Sequence, residues 1–185
     1  ITQALKRNGQ LFPDKTATSY MDRKFTWKET LERVSKLAFS IKKMNILDGD
    51  RVAILAHNSD RYFEFLYSVS WAGGVFVPIN TRLAPPEIQF WINDSESKVI
   101  FVDKSFAEIV KNLSKENKIP SVKEIIYLSD DDTPDGMINY ESLISNDTAD
   151  DALKGYNDLA GLFYTGGTTG RSKGVMLSHT NMVID

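Results

Sequence analysis

The sequence predicts an α/β fold, a doubly wound and mostly parallel sheet with helices on both faces. Three observations carry the prediction. Short apolar runs at 51–56, 75–79, 99–102 and 125–128 have strand length and lack polar alternation, as strands covered on both faces do. Segments of helical periodicity separate them, and turn residues such as Leu47-Asp48-Gly49-Asp50 and Gly73-Gly74 stand at the changeovers. This alternation puts ligands beyond the carboxyl ends of the strands.

Thr26 and Glu29 make a capping box, after which Leu31, Val34, Leu37, Ala38, Ile41 and Met44 recur at helical spacing. The turn at 47–50 ends that helix and opens the first buried strand. Asn58 or Ser59 caps a second helix whose apolar residues are Tyr62, Phe63, Leu66 and Val69, stopped by Gly73-Gly74. Its aromatic residues, Tyr62, Phe63, Phe65, Tyr67 and Trp71, surround the axis, so the helix is expected to be buried on several sides. Residues 75–79 form the next strand. Pro85 and Pro86 then occupy a helical first turn, with Ile88, Phe90, Trp91 and Ile92 carrying the helix towards Asn93. Strand 99–102, a helix over about 106–113, strand 125–128, a polar loop and a short helix at 140–144 complete the pattern. There is no internal repeat.

A chain of 185 residues, 42% of them hydrophobic, can bury the core of one compact unit. The net charge of −3, from 22 basic and 25 acidic residues, lacks the footprint of a nucleic-acid binder. The absence of cysteine excludes disulfides, thiolate metal sites and a thiol nucleophile, and fits a reducing, cytoplasmic location. No apolar stretch reaches the roughly 20 residues of a membrane span, and the first residues lack the order of a secretory signal. The glycosylation-type tripeptides at Asn93, Asn112 and Asn146 are therefore read as chance.

The strongest chemical signal lies at 159–175, where the apolar run Leu159-Ala160-Gly161-Leu162-Phe163-Tyr164 opens into Thr165-Gly166-Gly167-Thr168-Thr169-Gly170-Arg171-Ser172-Lys173-Gly174-Val175. Glycines let the backbone approach a ligand and expose successive N–H groups. The hydroxyls of Thr165, Thr168, Thr169 and Ser172 and the Lys173 ammonium add donors, so the set suits a polyphosphate. The bland alternative is a flexible surface hairpin between 159–164 and 175–178. Spacing excludes two other phosphate loops: Arg171 follows Gly170 where the P-loop needs lysine, and Gly166-Gly167 breaks the dinucleotide fingerprint.

Residues 164–175 resemble the signature of the adenylate-forming, or AMP-binding, superfamily, which includes acyl-CoA synthetases, luciferases and peptide-synthetase adenylation domains. Gly49-Asp50-Arg51-Val52-Ala53-Ile54 and Val77-Pro78-Ile79-Asn80-Thr81-Arg82-Leu83 followed by Glu87 are similar to amino-terminal blocks of the same family, in the expected order. Gly166 stands where serine is frequent and Ser172 where proline usually precedes the lysine, departures that loosen the loop.

The resemblance implies that residues 1–185 are the amino-terminal portion of an AMP-binding domain, with a small β-hairpin near the phosphate loop. It implies an acid–thiol ligase that uses ATP to activate a carboxylic acid, of the fatty class, as an acyl-adenylate and passes the acyl group to coenzyme A. Thr165, Gly166, Gly167, Thr168, Thr169, Gly170 and Lys173 would bind the ATP phosphates, and Thr165 would also help to hold Mg²⁺. No residue of the chain is assigned as catalytic, the full-length protein is a candidate homodimer, and the chain alone is expected to be inactive. Two other readings share these motifs: a non-catalytic nucleotide-binding or interaction module, and an adenylation domain that loads a carrier protein.

His179 matches a histidine common after the family loop, and is read as a residue that packs or hydrogen-bonds near the substrate pocket; Thr180 or Asn181 would cap the helix that follows. His57, at the carboxyl end of the 51–56 strand, reads as a loop residue. The acidic run at 130–136 fails as a calcium loop, because no starting point places both the central glycine and the closing glutamate.

Overall fold

The computed structural model describes residues 1–144, 147–166 and 172–184. A seven-stranded sheet runs in the order β7-β6-β5-β3-β4-β8-β9. Its strands are β3 (Arg51–Leu55), β4 (Val75–Pro78), β5 (Val99–Val102), β6 (Glu124–Tyr127), β7 (Ile138–Asn139), β8 (Leu159–Thr165) and β9 (Lys173–Ser178). Every neighbouring pair is parallel except β8 with β9. The chain runs from β3 to β4 through α3 (Asp60–Ala72), returns past β3 to β5 through α4 (Pro85–Asp94), and continues to β6 through α5 (Ala107–Lys115).

Side-chain alternation along the strands divides the interior in two. Val52, Ile54, Phe76, Val99, Phe101 and Ile126 face α1 (Thr2–Leu11), α2 (Trp27–Lys43), α3 and α6 (Tyr140–Ile144). Ala53, Leu55, Val77, Ile100, Val102 and Tyr127 face α4 and α5. Helices thus cover both faces, as the alternation of the sequence predicts. Connections leave on opposite faces after β3 and after β5, which opens a crevice at their carboxyl ends.

Local signals act as predicted in several places. The Glu29 carboxylate accepts from the Thr26 N–H at 2.8 Å while the Thr26 hydroxyl accepts from the Glu29 N–H, closing the capping box of α2. Ser59, rather than Asn58, caps α3, and Gly73 ends that helix at φ 90°. The positive φ demands glycine there, whereas the nearest atom to an added Cβ, Asp48 Oδ1 at 2.3 Å, belongs to an exposed side chain that can swing aside.

Three features go beyond expectation. The helix α1 and the antiparallel hairpin of β1 (Thr16–Tyr20) with β2 (Arg23–Thr26) carry no strong pattern: α1 fully buries only Thr2 and Leu5, and no residue of the hairpin is fully buried. The buried side of α3 includes Arg61, Glu64, Phe65, Ser68 and Val69, whereas Tyr62, Phe63, Leu66 and Tyr67 are half-buried. The helix is buried on several sides as expected, with the half-buried residues packed against the core, but apolar periodicity misses Arg61 and Glu64, which ion pairing lets enter the interior. The acidic run is largely exposed, as a solvated loop should be, but it also ties elements together, which the sequence did not disclose: Asp130 accepts from Arg23 and Arg61, and Asp131 accepts the Tyr127 hydroxyl at 2.8 Å.

Candidate functional site

The hairpin of β8 and β9 extends the sheet at the strand carrying the glycine-rich signature. β8 joins β4 through the pair Phe76↔Gly161, and pairs with β9 from Leu159↔Ser178 to Thr165↔Lys173. Gly161 is required by this junction, since a Cβ there would stand 2.5 Å from Phe76 Cε2. Beyond Gly161, ring contacts attach the strand to the body. Phe163 meets Phe76 edge-on at 5.9 Å, and on the other face Tyr164 stacks on Trp91 of α4 at 4.8 Å. The Tyr164 hydroxyl donates to Asp94 Oδ2 at 2.6 Å. Burial first, and then this bond, raise the hydroxyl above the ordinary phenol value, so it stays a donor through the neutral range.

Of the residues assigned to phosphate binding, Thr165, Gly166 and Lys173 are described, and Gly167, Thr168, Thr169 and Gly170 lie outside the described residues. Thr165 and Lys173 are cross-strand partners at the mouth of the hairpin, and both are exposed. Directly opposed residues of an antiparallel pair point to the same face, so a hydroxyl and an ammonium are presented together. A Cβ at Gly166 would meet no atom within 4 Å, leaving its backbone open to approach. Among the described residues no group of three or more histidines, acids or cysteines is arranged to hold a metal ion.

A cleft of about 390 Å³ lies at the root of this loop, lined by His57, Asn58, Asn80, Thr81, Phe163 and Tyr164 among others. His57 is a loop residue, as expected, with an exposed side chain that makes specific contacts. Its backbone N–H and its ring Nδ1 both lie within 2.9 Å of Asp103 Oδ2, and its ring stacks on Phe106. The pair bridges the carboxyl ends of β3 and β5, and His57 also lines a second crevice of about 200 Å³ with Arg23, Ser59, Lys104 and Asp130. Sequence reasoning missed Asp94 and Asp103, whose partners stand 70 and 46 residues away.

His179 packs, but far from this site. It follows Ser178, whose pair with Leu159 closes the end of the hairpin opposite the loop. The side chain is 3% exposed and neither ring nitrogen has a hydrogen-bond partner among the described residues. Desolvation accordingly lowers its pKa below the ordinary imidazole value. Asn181 and Ser178 exchange hydrogen bonds at the start of α7 (Asn181–Ile184).

The other blocks singled out in the sequence serve the frame. Asp50 accepts from the Leu47 N–H at 2.8 Å and from Lys98 Nζ at 2.7 Å, and Arg51 Nε donates to the Ser95 carbonyl at 2.6 Å. Glu87 accepts from the Ala84 N–H at 2.9 Å and caps α4.

Comparison with known proteins agrees with this arrangement. The family model described as AMP-binding enzyme matches residues 5–185, and the chain belongs to that family. It is 33% identical to the 4-hydroxybutyrate–CoA ligase 2 of Metallosphaera sedula, over 95% of this chain and 33% of the relative. It is 36% identical to the medium-chain-fatty-acid–CoA ligase of Ectopseudomonas oleovorans, over 85% of this chain and 30% of the relative. The fold superposes on the fatty acyl CoA synthetase of Mycobacterium tuberculosis with a TM-score of 0.81 at 28% identity, covering 96% of this chain and 34% of that one. The N-terminal domain of FACL13 from the same organism gives a TM-score of 0.82 at 28% identity, over 96% of this chain and 44% of that chain. The chain thus spans about a third of the length of the curated relatives it matches. Among the described residues no helix is long and apolar enough to cross a membrane.

Proposed function

We propose that residues 1–185 are the ATP phosphate-handling portion of an acid–thiol ligase, forming the amino-terminal part of its AMP-binding domain. The observation that carries this reading is the pairing of Thr165 with Lys173 at the mouth of a hairpin whose root is fixed to the sheet. In the reaction a substrate carboxylate attacks the α-phosphorus of ATP, an acyl-adenylate forms and pyrophosphate leaves with the electron pair of the broken P–O bond. Backbone N–H groups of Gly166, Gly167 and Gly170, the hydroxyls of Thr165, Thr168 and Thr169, and the Lys173 ammonium stabilise the charge that gathers on pyrophosphate. Their part is electrostatic. A thiol, for which coenzyme A is the proposed source, then displaces AMP from the acyl carbon.

Mg²⁺ fits this site as a metal carried in by the nucleotide. The exposed Thr165 hydroxyl would offer one hard oxygen, with phosphate oxygens and water as the other ligands. The relatives are named for acids as different as 4-hydroxybutyrate, medium-chain fatty acids, benzoate and ferulate, so the class of substrate proposed is a carboxylic acid. A reducing, cytoplasmic setting fits the absence of cysteine.

The test is Lys173→Ala in the protein encoded by the complete reading frame. Acid-dependent release of pyrophosphate from ATP should fall roughly a hundredfold, the scale of losing one preorganised charge donor. Unchanged release would overturn the reading. The isolated 185 residues should make no thioester from ATP, acid and coenzyme A, and sustained turnover would show that they hold a complete site.

A further inference from the structure

We infer that α4 is the strut that sets the phosphate loop, with Asp94 and Trp91 acting through Tyr164 as positioning residues for phosphate binding. The inference rests on the proposed role of the loop and deepens it.

The argument begins with what holds the hairpin. β8 is paired to β4 at Gly161↔Phe76, whereas Leu162, Phe163, Tyr164 and Thr165 are paired only to β9. The end of the hairpin that carries Thr165 and Lys173 therefore projects beyond the parallel ladder. A two-stranded ribbon alone is marginal in water, so side-chain contacts must decide where it sits. Phe163 against Phe76 secures one face by packing alone. The other face is secured by Tyr164, which combines a nearly parallel stack on Trp91, interplanar angle 20°, with a directional bond to Asp94. The stack limits movement perpendicular to the ring, and the hydroxyl bond limits sliding within its plane. Gly174, opposite Tyr164, permits this: a Cβ there would already lie 3.3 Å from the ring carbon that bears the hydroxyl.

A positioning role requires the platform itself to be fixed, and α4 is fixed at both ends. Glu87 caps its start. At its finish, Asn93 Nδ2 donates to the Lys118 carbonyl at 2.8 Å and the Ser95 carbonyl accepts from Arg51, so Asp94 is flanked by anchored residues. Trp91 is 4% exposed. Arg51, Glu87 and Tyr164 come from the separate sequence blocks at 49–54, 77–87 and 164–175, and α4 joins them into one mechanical unit. Misplacement of a charge-stabilising loop by a fraction of an ångström weakens binding of the anion it holds, while the chemistry that follows departure of pyrophosphate does not use the loop.

The experiment uses Tyr164→Phe, Asp94→Ala and Asp94→Asn in the full-length protein, each measured in two half-reactions. In acid-dependent exchange between ATP and pyrophosphate, Tyr164→Phe and Asp94→Ala should raise the KM for ATP roughly three- to tenfold, the scale of one net hydrogen bond. In thioester formation from preformed acyl-adenylate both variants should match the parent. Asp94→Asn keeps an acceptor oxygen and should recover most of the loss. An unchanged KM for ATP in Tyr164→Phe would overturn the inference, as would equal losses in the two half-reactions, because a merely structural contact affects both. Lys173→Ala serves as the reference. If it impairs exchange and the Tyr164 and Asp94 variants do not, only the strut is wrong; if it leaves exchange intact, the loop assignment fails and the strut with it.

Discussion

The Tyr140 hydroxyl donates to Glu64 Oε2 at 2.5 Å, joining α6 to α3 through two fully buried residues. Glu64 also receives a fork of two bonds from Arg33 of α2, at 2.6 and 3.1 Å. Arg33 in turn reaches Glu141, which Arg61 contacts on its way to Asp130, and Arg23 completes the chain by bridging Asp130 and Asp60. Arg61 also donates to the Leu128 carbonyl. Desolvation pushes the Glu64 carboxyl above its ordinary value despite these donors, a sign of how much the site depends on them.

Removing the carboxylate should therefore be severe. Glu64→Ala leaves the Arg33 guanidinium with Glu141 as its remaining carboxylate partner and strands the buried Tyr140 hydroxyl, and should cost about 3 kcal/mol, read as a lowered urea midpoint. Tyr140→Phe deletes one donor and leaves the Arg33 fork intact, and should cost about 1–2 kcal/mol. Equal losses for the two variants would show that Arg33 contributes nothing.

This network also marks where the sequence ceases to be readable. Apolar runs disclose β3, β4 and β5 because burial on both faces writes itself as composition, and Thr26 with Glu29 discloses the start of α2 because the cap is local. The side of α3 that enters the core is hidden, since Arg61 and Glu64 find their partners on other elements. The β1–β2 hairpin is hidden for the same reason: Arg23 holds it to Asp60, 37 residues away. At the candidate site the residue types of 164–175 are what led to the proposed polyanion. The Tyr164 bond to Asp94 and the His57 contact with Asp103 leave no trace in spacing.

Gly161 offers a test of the junction between hairpin and sheet. A methyl group there would sit 2.5 and 2.9 Å from two ring atoms of Phe76, a core residue with no free end to swing away. Gly161→Ala should cost about 1–3 kcal/mol through forced repacking. Gly166→Ala meets open space and should leave the thermal midpoint within error. Matching midpoints for the two variants would refute the close approach of β8 to Phe76.

His179 should make stability depend on pH near neutrality. Its folded pKa lies below the unfolded value, about 6.5, so the unfolded chain binds the extra proton first as the solution is acidified. Stability is then complete above the unfolded value and declines as pH falls below it towards the folded one. His179→Met removes the titrating group and buries no unpaired nitrogen, so the variant should be at least as stable at pH 7 and nearly level across that interval. A slope unchanged by the substitution would assign it to other groups.

Asp130 governs a separate, more acidic range. Burial alone would raise its carboxyl, but hydrogen bonds from Arg23 and Arg61 outweigh that and hold it below the ordinary carboxylate value. A depressed folded pKa contributes stability that is present above the unfolded value, about 3.9, and disappears as pH falls through the folded one. The Asp130 side chain is 62% exposed, so solvent screens the pairs and the contribution is modest. Asp130→Asn imitates the protonated acid at every pH. It should therefore lower stability by about 0.5–1 kcal/mol at pH 7, while the difference narrows as pH falls below the unfolded value. A difference that persisted undiminished at pH 3 would mean that shape rather than charge ties Asp130 to the two arginines.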